Sequence, residues 1–218
     1  MHKISMDPDL VALRKKREAE GLQSLVETHQ ALRPLCEALS RAGLPPDLDA
    51  LPSYGPRGAP AIPILVEFLR STTNPAAIKA IVRALSVPWA RPIAQLPLID
   101  AFAAHPGEEF DGLRWAVGNA LDVVSDDAIF DEIVGLATNA EFGRSRQMVV
   151  LSLKNMKRPD AIPVLRSLLE DDAVSGHAIM ALGRLKAKVA RAEIETFLTH
   201  ERPWVRTEAK KALKKIDR

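Results

Sequence analysis

The histidines, the single cysteine and one pair of acids are the residues of this chain that could do chemistry. No histidine has a partner at the spacing of a zinc site (His2, His29, His105, His177 and His200). The adjacent Asp126 and Asp127 point apart on a turn, so we expect them to cap the next helix rather than form an acid–base pair. The sequence contains neither a phosphate-binding glycine loop nor a serine nucleophile elbow. We therefore expect no enzymatic activity, no metal and no cofactor.

Composition indicates a globular helical protein. The 218 residues are 47% hydrophobic, 27% charged and only 5% aromatic, which suits helix packing better than a β-sandwich. No apolar run approaches the roughly 18 residues of a membrane span, and MHKISMDPDL lacks the apolar core of a secretory signal. A lone thiol is typical of a reducing cytosol. We expect a cytoplasmic protein without a membrane partner, in which Cys36 is a buried structural thiol.

Charge is distributed unevenly along the chain. Residues 100–141 contain ten acidic residues and one basic residue, a net charge of −9, whereas residues 200–218 contain seven basic and three acidic residues, a net charge of +4. An acidic centre attracts basic proteins and repels phosphate backbones.

An internal repeat organises the remainder of the chain. The phrases APAIPILVEFL and PDAIPVLRSLL lie one hundred residues apart, and positions matching their central leucine recur at intervals of 29 to 35 residues (Leu65, Leu98, Ile133, Leu165 and Ile194). A second series, mostly Ala-Leu pairs, recurs later in each unit with a similar period (Leu85, Leu121, Leu153, Leu182 and Leu213). Two interleaved series with one period predict a repeat of helical hairpins.

Each unit is predicted to be two helices joined by a short break. The stretch MVVL at 148–151 resembles a strand when taken alone, but its place in the repeat predicts a helix. One hairpin cannot bury both of its apolar stripes, whereas stacked neighbours can. We predict an all-α protein, a right-handed α-α superhelix of about five hairpins with an N-terminal helical cap. Residues 56–218 form the repeat domain, with approximate repeats at 59–90, 91–125, 126–158, 159–188 and 189–218.

The units resemble HEAT repeats, in particular the short bacterial kind of the phycobilisome-lyase-like type. The last unit, PWVRTEAKKALKKI, is similar to the usual second helix of that family, with an arginine ahead of an Ala-Leu pair. Arg206 corresponds to Arg114 and Arg146, while the other two units have Ile78 and Ser175. The phrase LRWAVGNALDVVSDD also resembles bacterial HEAT-repeat proteins of unknown function. The resemblance implies an armadillo-like helical fold and no particular activity.

Residues 1–55 do not fit the repeat. Asp7-Pro8 is expected to open a helix whose second half carries an apolar stripe from Leu22 to Leu39 and which Pro34 could kink. The following GLPPDLDALPSYGPRG is too rich in proline and glycine for a helix. We predict a helical cap and linker, and the alternative is a helix that dimerises the protein.

Residues on the second helix of each unit are the candidate binding residues. In a superhelix these helices line the concave face, where equivalent positions form columns that combine Trp, Met, Leu and amides. Such a mixture is typical of a peptide groove. The alternative is that Trp115 packs between repeats, as we expect for Trp89 and Trp204. The candidates are Lys79, Arg83, Trp115, Asn119, Asp122, Gln147, Leu151, Lys154 and Met180.

The predicted function is a non-enzymatic scaffold or adaptor that holds a partner protein or peptide, of basic character, on its concave face. The alternative is a nucleic-acid-binding HEAT-like protein of the alkylpurine DNA glycosylase type, which requires a basic concave surface. The acidic centre argues against that alternative, so a nucleic-acid partner is not expected. A bilin lyase would rest on fold analogy alone. We expect a monomer.

Overall fold

The computed structural model describes residues 8–105 and 107–218, and within these ranges the protein is all-helical and has no strand. The opening Asp7 lies outside the described residues. The α-helices are α1 (Pro8–Arg41), α2 (Ala61–Ser71), α3 (Pro75–Leu85), α4 (Gln95–Ala103), α5 (Asp111–Val124), α6 (Phe130–Thr138), α7 (Gln147–Ser152), α8 (Ala161–Ser167), α9 (Ser175–Arg184), α10 (Arg191–Thr196) and α11 (Pro203–Ile216). The 3-10 helices are Leu51–Gly58, Pro88–Ala90, Glu108–Phe110, Asp127–Ile129, Ala140–Arg146, Leu153–Asn155, Leu168–Glu170, Lys188–Ala190 and Phe197–Thr199.

The helices after α1 pack as consecutive hairpins. Helix α2 contacts α3, α4 contacts α5, α6 contacts α7, α8 contacts α9, and α10 contacts α11. The second helices also touch one another in succession, from α3 through α5, α7 and α9 to α11. Among the first helices, α2 contacts α4 and α4 contacts α6. The stretch MVVL lies in α7, so the helix predicted there is confirmed.

The core coincides with the two repeated series. All five anchor positions of the first helices are completely buried (Leu65, Leu98, Ile133, Leu165 and Ile194). The leucines of the second series are also buried (Leu85, Leu121, Leu153, Leu182 and Leu213). The apolar period of the sequence therefore marks the side chains that face neighbouring helices, and burial of these side chains is the main stabilising contribution to such packing.

Local sequence explains where the second helices begin. Before α3, the side chain of Asn74 accepts hydrogen bonds from the backbone N–H groups of Ala76 and Ala77, both at 3.0 Å. Pro75 then occupies the first turn, where its missing N–H leaves no helical bond unmade. Pro203 likewise occupies the first turn of α11.

Three corresponding arginines, Arg114, Arg146 and Arg206, bind the chain between the two helices of their own hairpin. Each donates hydrogen bonds of 2.6 to 3.1 Å to backbone carbonyls at or just beyond the end of the first helix, where carbonyls lack helical partners. The acceptors are, in order, His105 and Gly107, Ala137 and Gly143, and His200 and Glu201. The arginine that carried the resemblance therefore holds these three hairpins closed.

The N-terminal region differs in part from its prediction. Helix α1 is one continuous α-helix that includes Pro34. Its second half is anchored by the buried Leu35 and Leu39, whereas Leu22 and Leu25 in its first half are exposed. Only the second half of α1 therefore covers the first hairpin.

The segment between α1 and α2 contains a short helix, although its many prolines and glycines predicted none. A 3-10 helix spans Leu51–Gly58, and Gly55 interrupts it with a φ of 60°. The buried Leu48 and Leu51 fix this segment to the core. The prolines are compatible with it because a short 3-10 segment needs few N–H donors.

Candidate functional site

The candidate binding residues lie along the row of second helices. Helix α3 carries Lys79 and Arg83, and α5 carries Trp115, Asn119 and Asp122. Helix α7 carries Gln147 and Leu151, Lys154 follows in the next 3-10 helix, and α9 carries Met180. Because these helices contact one another in succession, we name the face they share the second-helix surface.

Trp115 is exposed on this surface. Its side chain remains 52% accessible, and the neighbouring Asn119 donates a 2.8 Å hydrogen bond from its amide to the Trp115 carbonyl oxygen. On the buried side of the same helix, Gly118 approaches Met148 and Val149 of α7. The close packing between α5 and α7 thus involves the glycine, and the indole is left on the surface. The alternative in which Trp115 packs between repeats is wrong.

Asp122 and Lys154 bind each other instead of facing a partner. The Lys154 ammonium group and the Asp122 carboxylate form an ion pair, with side chains only 17% and 19% exposed. The Asn155 amide donates a 2.7 Å hydrogen bond to the Asp122 carbonyl oxygen. These contacts tie the end of α5 to the end of the next hairpin. Asp122 is therefore a structural acid and contributes little to the attraction of a basic partner.

Leu151 is a second residue whose expected place on the surface is corrected, because it is buried. Gln147 and Met180 are half-buried and line a depression of about 460 Å³ between α7, α9 and α11. The Gln147 amide also donates a 2.8 Å hydrogen bond to the Ala173 carbonyl oxygen. The other residues of the depression are Arg144, His177, Arg202, Trp204 and Glu208.

Trp204 and His177 form the floor of this depression. A Cβ atom on Gly176 would overlap the Trp204 ring, so the indole can rest there only because residue 176 is glycine. The His177 ring lies 5.5 Å from the Trp204 ring, measured between centroids. Burial lowers the pKa of His177, against a smaller opposing effect of Glu208. The sequence predicted that Trp204 packs, and its ring does lie against Gly176 and His177, but the residue stays 40% exposed. The sequence contained no signal for His177.

Lys79 and Arg83 stand at the other end of the second-helix surface. They line a groove of about 980 Å³ between α1 and α3. An Arg83 guanidinium nitrogen lies 3.7 Å from the Asp49 carboxylate at the groove edge. Cys36, expected to be buried, is half-buried in the groove wall, and partial burial raises the pKa of its thiol. A raised pKa keeps the thiol protonated and weakly nucleophilic.

The paired acids have structural contacts. Asp126 accepts a 3.0 Å hydrogen bond from the backbone N–H of Ala128 and caps the following 3-10 helix, as expected. Asp127 accepts hydrogen bonds from the backbone N–H groups of Lys157 and Arg158 in the next hairpin, at 2.7 and 3.3 Å. Within residues 8–105 and 107–218, no group of three His, Cys, Asp or Glu side chains could hold a metal ion.

No protein-family model matches the chain, and no curated protein is significantly similar to it. Among the helices of the described residues, none combines the length and the apolar character needed to cross a membrane.

Proposed function

We propose that the hairpins form a right-handed α-α superhelix of the short bacterial HEAT-like type. The support is the coincidence of three independent features. The anchor positions of all five predicted units are buried, the second helices contact one another in succession, and the matching arginines close three hairpins in the same way. Repeating contacts between neighbours are what a stacked helical array requires.

We propose further that the protein is a non-enzymatic, cytoplasmic scaffold that binds a partner protein or peptide on the second-helix surface. The observation that carries the proposal is the exposed Trp115. Exposing half of a large aromatic ring to water is unfavourable, and tryptophan is among the residues that most often anchor protein interfaces. The nearby Asn119, Gln147 and Met180 supply hydrogen-bonding and adaptable apolar contacts around such an anchor.

Charge around Trp115 favours a basic partner. Glu108 and Glu109 lie in the exposed 3-10 helix that leads into α5, whereas Asp111 on α5 itself is bound by Arg114 and Ser145. Opposite charges around an interface steer association and raise its rate. A phosphate backbone laid along the same helices would be repelled at this position, which argues against the DNA-binding alternative.

Capture of partners from a lysate of the native host, followed by mass spectrometry, tests the proposal. Replacing Trp115 with Ala removes the anchor, so the captured amount of a specific partner should fall at least several-fold, since such anchors contribute about 2 kcal/mol or more to binding. The melting temperature should change little because the indole is half exposed. Ile93→Ala, which removes an exposed apolar side chain outside the second helices, is the control and should retain the partner. Equal capture by both variants would contradict the proposal.

A further inference from the structure

The depression between α7, α9 and α11 has an apolar floor that is open to solvent. The Trp204 indole lies directly over Gly176, and 40% of the residue remains exposed. Met180 of α9 lines the same depression, and its flexible thioether can adapt to apolar groups of different shape. The floor can therefore hold an apolar side chain that arrives from outside.

Arg144 is a charged group of this depression that the rest of the chain leaves free. It is exposed and lies in the 3-10 helix that precedes α7. Within residues 8–105 and 107–218, its guanidinium group forms neither an ion pair nor a hydrogen bond. A guanidinium group carries five N–H donors and stays protonated in proteins. Arg144 is therefore available to an anionic ligand.

The other charged side chains that line the depression already have partners. Glu208 accepts a 2.7 Å hydrogen bond from the Lys211 ammonium group. Arg202 donates a 2.9 Å hydrogen bond to the Asp172 carbonyl oxygen, and its nitrogens lie 3.8 Å from the Asp172 and Glu201 carboxylates. Arg144 is thus the free charge of the lining.

The lining carries a net charge of +1 near neutral pH. It contains two arginines and one glutamate, and burial keeps His177 uncharged by lowering its pKa. The Asp172 and Glu201 side chains beside Arg202 are outside the lining and are 76% and 79% exposed, so water weakens their effect. One positive charge matches one carboxylate, whereas binding of a phosphate backbone uses several cations.

We propose that this depression binds the C-terminal carboxylate of the partner protein, and that the last side chain of that partner is apolar. Arg144 binds the carboxylate, and the apolar side chain packs on Trp204 and Met180. A partner of basic character is poor in acidic side chains, but its chain still ends in a carboxylate. The inference rests on the proposed function, because Gln147 and Met180 belong both to the depression and to the second-helix surface.

Titration of the isotope-labelled full chain with N-acetyl-leucine tests the proposal without the partner. This molecule carries one α-carboxylate beside one apolar side chain, as a chain end does. The indole N–H resonance of Trp204, identified by its loss in Trp204→Phe, should shift and saturate. The dissociation constant should be on the order of millimolar, as for other ligands of about a dozen heavy atoms. The indole resonances of Trp89 and Trp115, which lie outside the depression, should not move.

A substitution and a second ligand identify the contact between Arg144 and the carboxylate. Arg144→Gln should weaken binding at least about fivefold, because it removes a charge-assisted hydrogen bond, and it should fold normally because residue 144 is exposed. Arg70→Gln is the matched control, because Arg70 of α2 is also exposed and forms no ion pair in the described parts of the chain. It should bind as wild type does. N-acetyl-leucine amide, which lacks the carboxylate, should bind the wild-type chain at least about fivefold more weakly.

A glutamate derivative that is acetylated on its α-nitrogen and amidated on its α-carboxyl distinguishes a chain end from an acidic side chain. It presents a carboxylate only on its side chain and no apolar group for the floor. It should therefore bind more weakly than N-acetyl-leucine. Equal or tighter binding would assign the depression to an acidic side chain and overturn the proposal.

Three further results would overturn the proposal. N-acetyl-leucine could leave the Trp204 resonance unchanged, its amide could bind equally well, or Arg144→Gln could bind as tightly as wild type. The titration and the capture experiment fail independently. A failed titration with normal loss of capture by Trp115→Ala would contradict only this inference, whereas a normal titration with full capture by Trp115→Ala would contradict only the scaffold function.

Discussion

At the scale of single residues, buried polar side chains join the hairpins. Arg146 has a side chain only 2% exposed. It bonds both to its own hairpin and to Asp171, in the break before α9 of the next hairpin. Burial raises the pKa of Asp171, but hydrogen bonds from Arg146 and from the backbone N–H of Ala173 outweigh it and hold that pKa below its ordinary value. The pKa of Asp111 is held similarly low, chiefly by the Ser145 hydroxyl and also by Arg114.

Arg146→Ala should destabilise the protein strongly. The change leaves the Asp171 carboxylate and the carbonyls of Ala137 and Gly143 without their donor. Leaving buried hydrogen-bonding groups without their donor costs about 1–3 kcal/mol, and the Asp171 carboxylate, with a side chain 32% exposed, keeps part of its hydration. Urea denaturation should show this loss in the free energy of unfolding. The control Arg144→Ala, two residues away at an exposed position, should stay within about 0.5 kcal/mol of wild type. Equal effects would show that Arg146 has no special structural role.

His177 should make stability depend on pH near neutrality. Burial lowers its pKa from the ordinary value of 6.5 in the folded protein, whereas the unfolded chain titrates near that value. As pH falls through about 6.5, the unfolded state therefore binds more protons than the folded state, and the free energy of unfolding decreases.

The melting temperature between about pH 7.5 and about pH 5.5 should consequently fall less in His177→Gln than in wild type. His29→Gln changes an exposed histidine on α1 and should keep the wild-type slope. Identical slopes for wild type and His177→Gln would show that His177 is not buried as described.

At the scale of helices, glycine sets the distance between α9 and α11. A Cβ on Gly183 would lie 2.7 Å from both the Cα and the Cβ of Ala212. Backbone atoms cannot move aside as a flexible side chain could, so any larger residue would push the two helices apart. The last hairpin depends on this contact and on the seat that Gly176 provides for Trp204.

Gly183→Ala should therefore lower the free energy of unfolding by about 1–3 kcal/mol, as overpacking does. Gly135→Ala is the matched control, because Gly135 also lies within a helix and a Cβ atom added there would have nothing within 4 Å. Alanine is the better helix former, so this control should gain up to about 1 kcal/mol. Thermal unfolding of both variants measures the difference, and a stabilised Gly183→Ala protein would contradict the close packing.

At the scale of the whole molecule, the accessible area is larger than expected for a globular chain of this mass. The accessible area is 12453 Å², against roughly 9,900 Å² for a globular monomer of this mass. An extended stack of hairpins and a projecting α1 both increase area in this way. The proposed superhelix therefore has a measurable consequence in solution.

Small-angle X-ray scattering on the full chain should give a radius of gyration above about 17 Å, the value for a globular chain of this length. A value at the globular expectation would exclude an extended superhelix.

The sequence by itself determined the helical class and the buried positions. The two interleaved apolar series place Leu65 and Leu85, and their counterparts in every unit, in the core. The apolar period of a helix decides which of its positions face the core, so this information is local and can be read from the sequence. The same holds for the caps formed by Asn74 and Asp126, because a cap involves neighbouring residues.

Only the tertiary structure decided which surface residues are available for binding. Trp115 and Leu151 both stood as candidates, but the indole is exposed and the leucine is buried. Asp122 is bound by Lys154, which is 32 residues away along the chain. The exposure of Leu22 and Leu25 likewise depends on tertiary contacts, because only the second half of α1 packs on the first hairpin. Such contacts join distant segments, and a single sequence carries no local pattern that specifies them.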